Sequence, residues 1–443
     1  MACTASKTPL LRAIAARGFA AQASPKAASG KVNELQVTTL PNQVVVASID
    51  GNSPLSHISI AYRAGSRNES YEKQGTTHVL RVGASLSNAN STGFGVRVNV
   101  KATGGDLSVS SDRESVAYNV ELKRDELATG LKYLQDVATQ QSFRPWEIRD
   151  VTYRLKDDLA RVPAVARAID LLHQAAFYRG LGNSVFCAKR NVGNISPEDL
   201  QSFVANNFTA DRAAIVGVGI DHDLLVGYAK SLQLEGKSSP NTPSKYNASQ
   251  LRVDKSGELA TVAVATQGAS LANQKEALAF AILRNVAGSG PVVPFGSPSA
   301  ALEKVVDAAL QNPYEFNAFN ASYSDNGLFG FILQANAREV GKAIDAAVKA
   351  LKSGSVSQGD VDRAKAQLKV NILEELQSSS GRFSDLVAQA LRGEISGKSE
   401  LIAAIDAISV ADVNAAAKKV ASGKWSIGAV GNLANVPHVN DLN

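Results

Sequence analysis

Two short stretches, Ile-Ser-Pro-Glu-Asp-Leu at residues 195–200 and Ile-Ser-Val-Ala-Asp-Val at residues 408–413, decide the fold class of this chain. Each carries a helix-start signal, a Ser followed three residues later by an Asp. Each also leads to an apolar run that ends in glycine, at residues 214–219 and 426–431. The two stretches lie 213 residues apart, and the two final glycines lie 212 apart. This double match indicates a duplication and predicts two similar domains rather than a solenoid of short repeats.

A linker separates the two repeats. Residues 236–250 are rich in Ser, Asn and Pro and contain neither an acidic residue nor an apolar run, a composition that is typical of linkers. We therefore predict an N-terminal domain over residues 35–235 and a C-terminal domain over residues 251–443. Strand-like and helix-like segments are mixed in both. The predicted class is α+β, with two homologous domains that each consist of a mixed or antiparallel sheet with helices packed on one face.

Hydrophobic periodicity places the main elements of both halves. The tripeptide Asp-Asn-Gly at residues 325–327 predicts a hairpin turn, because Asn and Gly tolerate positive φ. Val96, Val98 and Val100 alternate with polar residues, and this pattern alone predicts a strand over residues 95–102. The other predicted strands are 108–109, 115–122, 314–323 and 328–335, and the predicted helices are 124–140, 164–180, 338–352, 360–377 and 409–420.

The N-terminus has the composition of a mitochondrial transit peptide. No acidic residue precedes Glu34, whereas the first 19 residues carry three basic residues and an apolar helical stripe, which is the pattern of such peptides. We predict a transit peptide over residues 1–19. Cleavage would fall after Phe19, so that Arg17 lies just before the cut and Ala20 begins the mature protein. Removing three cations lowers the formal charge from +5 to +2.

Charge and cysteine content exclude several classes of function. A nearly neutral mature chain lacks the concentrated basic charge that binding of nucleic acid needs. The two cysteines, Cys3 and Cys187, form neither a disulfide scaffold nor a Cys-x-x-Cys motif. The sequence has no apolar run of 18 residues, so we expect any association with a membrane to occur through partner proteins.

The segment Gly-Thr-Thr-His-Val-Leu-Arg-Val at residues 75–82 begins a predicted helix after a strand and a polar turn. Here the chain resembles the pitrilysin-like peptidase superfamily, whose active members carry His-x-x-Glu-His at this place. In that motif two His on one helical face bind zinc, and the Glu is the general base. This chain keeps His78 only, with Arg81 at the position of the base and Val82 at that of the second ligand.

The altered motif predicts that the chain has no catalytic residue and no metal. We expect no other cofactor, because the sequence has no haem-attachment Cys-x-x-Cys-His and one mature cysteine cannot hold an iron–sulfur cluster. Valine has no lone pair to give to a metal, and arginine stays protonated. The region of the third ligand, as the resemblance implies it, holds Asp157 and Asp158. One His and one Asp do not supply the three protein ligands that catalytic zinc requires. We expect His78 to be a helix residue that is kept by packing or hydrogen bonding.

The remaining candidate residues have structural interpretations. We expect His173 to lie on a structural helix face, and His57, His222 and His438 to lie at the surface or in loops. Asp221 could join His222 in a weak surface metal site, but capping of the following helix is the preferred interpretation. Cys187 is expected to be a buried, inert thiol. The glycine-containing stretch at residues 288–296 lacks Gly-Lys-Ser/Thr and is predicted to be a loop.

Several longer stretches resemble a non-catalytic branch of the superfamily, the core subunits of mitochondrial ubiquinol–cytochrome c reductase (respiratory complex III). The most specific is residues 319–330; others are 143–147, 195–208 and 431–442. The resemblance implies a helix over 95–102, against the pattern noted above. It also implies a bowl-shaped structural subunit that the complex needs for assembly and stability, without haem or iron–sulfur cluster, peripheral on the matrix side of the inner membrane. The implied partners are core protein 1, cytochrome b, cytochrome c1 and the Rieske protein.

Three other functions stay open at this point. The first is the non-catalytic, presequence-binding alpha subunit of the mitochondrial processing peptidase, which resembles this chain but uses a dense run of glycines to capture presequences. Residues 288–296 hold three glycines and two prolines. Prolines stiffen a loop and remove hydrogen-bond donors, which disfavours that role. The second is an active metallopeptidase, disfavoured by the number of ligands. The third is a soluble matrix binding protein unrelated to respiration.

Overall fold

A computed structural model describes residues 34–238, 241–288 and 300–443. The predicted transit peptide with its cleavage residues Arg17, Phe19 and Ala20 lies outside these described residues, as does most of the predicted loop at 288–296. Across the described ranges, no helix has the length and apolar character that a membrane span requires.

Six strands of the first half form one mixed sheet. Its order is β1-β2-β6-β3-β5-β4, and all neighbouring pairs are antiparallel except β2 and β6. The central strand β3 is buried over nearly its whole length, as expected for a strand that is covered on both faces. The strands are β1 (Leu35–Thr39), β2 (Val45–Ile49), β3 (Leu55–Tyr62), β4 (Asp106–Ser111), β5 (Val116–Lys123) and β6 (Ala213–Val218).

Five strands of the second half repeat this arrangement without an equivalent of β1. The order β7-β11-β8-β10-β9 again contains a single parallel pair, β7 with β11. The predicted turn at residues 325–327 connects β9 to β10, which confirms the hairpin. The strands are β7 (Gln250–Asp254), β8 (Leu259–Gln267), β9 (Glu315–Ser322), β10 (Gly327–Asn336) and β11 (Ser426–Gly431).

Fifteen α-helices lie within the described residues. In the first half they are α1 (Thr76–Val82), α2 (Gly93–Ala102), α3 (Leu127–Thr139), α4 (Pro145–Arg161), α5 (Ala164–Ala176), α6 (Pro197–Asn207) and α7 (His222–Ser231). In the second half they are α8 (Gln274–Ala287), α9 (Ala301–Ala309), α10 (Val340–Lys352), α11 (Gln358–Glu375), α12 (Ser379–Arg392), α13 (Lys398–Ala407), α14 (Val410–Ser422) and α15 (Val439–Leu442). These elements and the two sheets confirm the α+β class.

The two stretches that predicted the duplication occupy equivalent places. Ser196 caps α6 and Ser409 caps α14, each through a reciprocal capping box with the Asp three residues later. The helices α6 and α14 then lead to β6 and β11, which insert between earlier strands of their sheets. The repeated sequence pattern therefore corresponds to the same arrangement of a capped helix and an inserted strand in both halves.

Each sheet packs against its own half on one face and receives a helix from the other half on the second face. The main cores lie between the first sheet and helices that include α2, α3 and α7, and between the second sheet and helices that include α8, α10 and α14. In addition, α5 covers the far face of the second sheet, with Leu172 beside Ala263 and Ile332. Likewise α12 covers the far face of the first sheet, where Leu386 packs near Val216. The exchange of these two helices was not apparent from the sequence.

The strand that the valine alternation predicted over residues 95–102 is wrong, because this segment lies in α2. Thr92 caps the helix by accepting a hydrogen bond from the Gly95 amide. Val96 and Val100 face the core while Val98 is exposed. Residues spaced by four share a helical face, so an alternating run of three apolar residues is compatible with both periods. The helix that the resemblance implied is the observed structure.

The segment that connects the halves contacts both of them. The Asn247 amide donates to the Ala176 carbonyl at the end of α5 (2.8 Å), and the Ser244 amide donates to Asp325 in the β9–β10 turn (2.6 Å). The Thr242 carbonyl accepts a hydrogen bond from Arg67 (2.9 Å). Residues 241–249 thus have an irregular structure, and hydrogen bonds to their backbone groups fix them to both halves.

Candidate functional site

The degenerate motif lies on α1, whose N-terminus is held by a buried glutamate. The Glu69 carboxylate accepts hydrogen bonds from the amides of Gly75 and Thr77 and from the Thr77 hydroxyl, all at 2.6–2.7 Å. An acidic group satisfies the unpaired amides at the positive end of a helix. Burial raises the pKa of Glu69 to about 7, although the bonds from Thr77 and Gly75 act in the opposite direction. Glu69 therefore sets the orientation of the helix that carries His78.

His78 is fully buried, and both of its ring nitrogens are occupied by protein groups. The Cys187 amide donates to Nδ1 (3.0 Å), so this nitrogen is the acceptor. Nε2 then carries the proton and donates to Asp158 Oδ2 (2.7 Å). In this arrangement neither nitrogen offers a lone pair to a metal.

The two altered positions of the motif complete this arrangement. Arg81 donates to the same oxygen of Asp158 (3.0 Å), so a guanidinium lies where the general base of the active motif would lie. Val82 packs with the apolar cluster between α1, α4 and α6. The structure thus brings His78, Arg81 and Asp158 together and places Val82 beside them.

Asp157 and Asp158 separate although they are neighbours in sequence. Asp157 is exposed and pairs with Arg161 on the outer face of α4 (2.9 Å), whereas Asp158 turns toward His78. Successive helical residues point about 100° apart, so only one of the two can reach α1. Among the described residues, no group of three or more His, Cys, Asp or Glu side chains is arranged to hold a metal ion.

The electrostatics of the cluster favour a neutral histidine beside an ionised aspartate. Burial, and then the charge of Arg81, lowers the pKa of His78 despite the Asp158 bond. Partial burial alone would raise the pKa of Asp158, but the bond from His78 and the charge of Arg81 lower it. The neutral His78 and the ionised Asp158 together carry one negative charge, and the positive charge of Arg81 neutralises it.

Cys187 has the properties of an inert thiol. Its side chain is buried next to α1, and burial together with the nearby Glu69 charge raises its pKa to about 12. A nucleophilic cysteine needs a lowered pKa. The predicted structural role stands, with the addition that the Cys187 amide fixes the tautomer of His78.

The other histidines are mostly structural. His173 donates from Nδ1 to the Ile169 carbonyl (2.8 Å) and accepts from the Tyr323 hydroxyl (2.8 Å), which links α5 to the second half. The surface position predicted for His57 is wrong, because His57 is buried in β3 with its ring 5.7 Å from that of Phe383. Because β3 is covered on both faces of the sheet, its side chains are buried at odd and at even positions alike. Alternation of residues in the sequence therefore could not show that His57 is buried.

Asp221 caps α7 as predicted, accepting from the amides of Asp223 and Leu224. His222 instead bridges Ser48 Oγ and Thr38 Oγ1, each at 2.8 Å, and so ties α7 to the edge of the first sheet. Both observations favour the capping interpretation over a surface metal site.

Sequence reasoning missed a buried ionic cluster between the halves. Arg67 forms ion pairs with Glu114 and with Asp325 of the second half, each at 2.6 Å. Arg113 pairs with Asp170 on α5 (2.7 Å), and both side chains are almost fully buried. A buried ion pair contributes geometric specificity more than net stability. The charged pair at positions 113–114 was a possible signal, but nothing in the sequence identified its partners.

Comparison with known proteins defines the class. A family model described as insulinase (peptidase family M16) matches residues 44–189, and one described as the peptidase M16 inactive domain matches residues 194–368. The chain belongs to peptidase family M16, and the segment with His78, Arg81 and Val82 lies within the part that the insulinase model matches.

Within the family, the chain is similar to subunit 2 of the mitochondrial cytochrome b-c1 complex. It is 37% identical to that subunit of Rattus norvegicus over 418 residues, with 92% of both proteins covered, and 36% identical to that of Homo sapiens over 431 residues, with 95% of both covered. It is 27% identical to a protein of Arabidopsis thaliana described as "Probable mitochondrial-processing peptidase subunit alpha-1, mitochondrial", over 94% of this chain and 86% of that protein.

The fold also matches a solved structure. A chain of "Complex III2 from Candida albicans, Inz-5 bound" superposes with a TM-score of 0.79, and the match covers 92% of this chain and 99% of that one. At 22% sequence identity, this likeness supports the fold.

Proposed function

We propose that this chain is a non-catalytic structural subunit of respiratory complex III, equivalent to core protein 2, and that the complex needs it for assembly and stability. The single observation that carries the proposal is its sequence identity of 36–37% to subunit 2 of the cytochrome b-c1 complex over more than nine-tenths of both chains. Its partners would be core protein 1, cytochrome b, cytochrome c1 and the Rieske protein.

The geometry around His78 supports a role without catalysis. A zinc peptidase needs free lone pairs on its ligands and a base that can accept a proton. Both nitrogens of His78 are bonded within the protein, and Arg81 donates a hydrogen bond where a base would have to accept one. We expect purified mature protein to contain far less than one zinc per chain by elemental analysis, and stoichiometric zinc would contradict this account.

The presequence-binding alpha subunit of the mitochondrial processing peptidase is the second candidate. The similarity to the Arabidopsis thaliana protein of that description supports it, but at a lower identity of 27%. The stretch at residues 288–296 has too few glycines for the dense glycine run that this role uses.

Depletion of the chain distinguishes the two candidates. Under the proposed function, partial depletion lowers the amount of assembled complex III and ubiquinol–cytochrome c electron transfer in proportion, while activity per assembled complex stays constant. Restoring the chain restores both. If the amount of complex is unchanged while presequences accumulate uncleaved, the alternative is correct; if activity per complex falls, the chain does more than support assembly.

The location follows from the same proposal. We infer a peripheral position on the matrix side of the inner membrane, held by partner subunits, after removal of a transit peptide over residues 1–19. N-terminal sequencing of the mitochondrial protein is expected to begin at Ala20, and an intact Met1 would contradict this. Release of the chain into the soluble fraction without its partners would contradict the peripheral position.

A further inference from the structure

The second sheet ends on a strand whose outer side has no neighbouring strand among the described residues. Strand β7 pairs with β11 only, whereas its counterpart β2 lies between β6 and β1. Val46 of β2 lies beside Ile215. In the second half Gln250 lies beside Ile427, which follows Ile215 at the 212-residue spacing of the repeat. The place that β1 fills in the first half is therefore open beside β7.

The backbone groups on the outer side of β7 are unpaired. The Ile427 amide donates to the Ser249 carbonyl (3.1 Å), and the Lys255 amide donates to the Gly431 carbonyl (2.9 Å). Alternate residues of a parallel strand bond to its neighbour, so the even-numbered residues of β7 direct their amides and carbonyls away from β11. In the described part of the chain, no group bonds to these amides and carbonyls. We name them the open edge, and they belong to Gln250, Arg252 and Asp254.

The strand that carries the open edge is held from one face. The Arg252 side chain donates to three carbonyl groups of residues 433–437, at 3.0–3.2 Å. Natural sheet edges are commonly protected by charged side chains, prolines or bulges. Here the arginine is turned onto the C-terminal segment, and Leu251 and Val253 are each 37% exposed. The open edge thus presents free backbone groups beside aliphatic side chains.

A histidine fixes the outer strand of the first sheet. His222, at the start of α7, bonds to Ser48 of β2 through Nδ1 and to Thr38 of β1 through Nε2, each at 2.8 Å. The imidazole therefore joins two neighbouring strands. Thr38 lies opposite Val46, the position that corresponds to Gln250.

His438 has a comparable place in the second half. It precedes α15, which follows β11 as α7 follows β6. The Gln250 side chain accepts from the Val439 amide (3.1 Å) and donates to His438 Nδ1 (2.9 Å). Nε2 of His438 therefore carries a proton, and among the described residues no group accepts it. A strand on the open edge would place its equivalent of Thr38 opposite Gln250, next to His438.

We propose that the open edge binds an extended segment of a partner polypeptide as a further strand, antiparallel to β7. Leu35 and Val37 of β1 lie opposite Ile49 and Ala47 of β2, and these two positions correspond to the exposed aliphatic residues of β7. The partner segment accordingly carries two aliphatic residues at alternate positions, followed directly by a residue whose side-chain oxygen accepts from His438. In this mode of recognition, backbone hydrogen bonds provide affinity and alternate side chains provide specificity.

The chain itself supplies no suitable strand. Strands favour β-branched and aromatic residues, and in residues 1–33 these are few and never alternate. A second copy could pair its β7 with this one. The register that matches Leu251 with Val253 of the second copy, however, places Arg252 opposite its own equivalent, and like charges directly opposite are destabilising.

Site-specific photo-crosslinking in intact cells tests the proposal. A small aliphatic diazirine residue replaces Val253 in the full chain, or replaces Val37 as control. Val37 is an aliphatic residue on the outer strand of the first sheet and is 46% exposed. Mass spectrometry then identifies what is crosslinked. We expect position 253 to mark one segment of a partner polypeptide with the stated pattern, and position 37 not to mark it.

A proline on the open edge makes the test specific. Arg252→Pro removes an outward amide, while the bonds from Leu251 and Val253 to β11 are kept, because proline is tolerated on the outer side of an edge strand. Arg252→Ala is the matched control, since it loses the same side chain but keeps the amide. We expect the proline to lower the crosslinking yield from position 253 about tenfold relative to the alanine. Equal yields would overturn the proposal.

A peptide with the sequence of β1 tests the edge without altering the protein. The probe is acetylated residues 35–40, added to the purified full chain and followed by fluorescence anisotropy. Methylating the amides of Gln36 and Thr38, which would face β7, is expected to weaken binding at least tenfold relative to methylating those of Val37 and Thr39. Equal binding of the two methylated peptides would contradict strand addition.

The crosslinked species decides between occupants. Crosslinks from position 253 to residues 1–33, to β7 of a second copy or to lipid, or no crosslink at all, would each overturn the proposal. The inference rests on the geometry of the sheet and not on the proposed function. If the chain co-purifies with cytochrome b but position 253 marks no partner, the function stands and the proposed strand is absent. If position 253 marks a polypeptide outside complex III and the proline abolishes the crosslink, the strand is confirmed and the proposed function is wrong.

Discussion

Asp158 holds both polar side chains of the altered motif, the retained His78 and the substituted Arg81. One of its oxygens accepts hydrogen bonds from His78 and from Arg81, and it thereby joins α4 to α1. In the active motif these positions would serve zinc and a proton. Here the same positions hold hydrogen bonds and an ion pair, and the buried imidazole depends on Asp158 to satisfy its Nε2 proton.

Replacing Asp158 with Ala is expected to lower the free energy of unfolding by about 1–2 kcal/mol, because a buried His78 donor and Arg81 lose their shared acceptor. Asp157→Ala is the matched control, since it removes an exposed i,i+4 ion pair that contributes less than about 0.5 kcal/mol. Urea unfolding of the two variants measures both values. Equal effects would show that Asp158 does not stabilise the cluster.

Glu69 gives stability a pH dependence of predictable sign. Its pKa is raised from 4.5 to about 7 on folding, so its stabilising contribution is complete below the unfolded pKa and is lost as pH rises through 7. Glu69→Gln removes this titration. The free energy of unfolding of the wild type, relative to the variant, is expected to fall by about 2–3 kcal/mol between pH 5 and pH 8, at 1.36 kcal/mol per pKa unit.

Urea unfolding at both pH values measures this change. Glu72→Gln, an exposed neighbour, controls for general effects of charge. A difference between wild type and Glu69→Gln that stays constant with pH would mean that Glu69 does not titrate in this range.

The sequence could identify the altered motif but not its surroundings. Arg81 and Val82 predict the loss of a zinc site by their chemistry, and this prediction needs no coordinates. Asp158 rather than Asp157 faces His78 because of the rotation of α4, and that rotation depends on packing. Glu69 reaches Gly75 only because the turn between them folds back, and no local pattern announces such a turn.

At the scale of elements, the sequence predicted secondary structure correctly where its residue pattern was compatible with one structure only. The β9–β10 hairpin followed from Asn326 and Gly327, whose backbone preferences leave few alternatives. The valine run in α2 fitted two periods, and the cap at Thr92 decided between them. Helix α5 was predicted as a helix, but its amphipathic pattern does not specify which sheet it covers.

The close approach of α5 to the second sheet depends on a glycine. At Gly428 in β11, an added Cβ would overlap backbone atoms of Ala168 and Leu172. Gly428→Ala is therefore expected to destabilise the protein by about 1–3 kcal/mol, the usual cost of overpacking. Thermal and urea unfolding measure the change.

Gly227→Ala is the matched control. Gly227 lies within α7, and an added Cβ there meets nothing within 4 Å. Alanine stabilises an exposed helical position by about 0.5–1 kcal/mol relative to glycine. If Gly428→Ala were as well tolerated as Gly227→Ala, α5 would not be packed tightly against β11.

At the scale of the whole molecule, the two halves interlock. Each half covers one face of the other's sheet, through α5 and through α12. The ion pair between Arg67 and Asp325 and the hydrogen bond between His173 and Tyr323 add polar contacts across the same boundary. Most domain pairs within a chain share modest, polar interfaces and move relative to each other. This apolar exchange instead predicts a single rigid body.

The sequence repeat indicated that the chain has two halves. It did not indicate that each half covers the other half's sheet with a helix. A repeat in sequence shows equivalent positions, so α5 and α12 could be aligned with each other. Their burial, however, depends on contacts between residues more than 80 apart, such as Leu172 with Ala263. Such long-range partners are set by tertiary packing and not by local periodicity.

The exchange of helices predicts that the chain survives a cut between its halves. A protease site that replaces the two residues between Ser238 and Asn241 allows the full, folded chain to be cleaved there. The two pieces are expected to co-elute as one species on gel filtration and to unfold in one transition, because separating them would expose the apolar faces under α5 and α12. Replacing both Leu172 and Leu386 with Ala weakens these faces by about 2–5 kcal/mol per site, and in the cleaved protein this pair of changes is expected to cause dissociation. Separation of the unaltered pieces under native conditions would show that the connection at residues 239–240, and not the exchanged helices, holds the halves together.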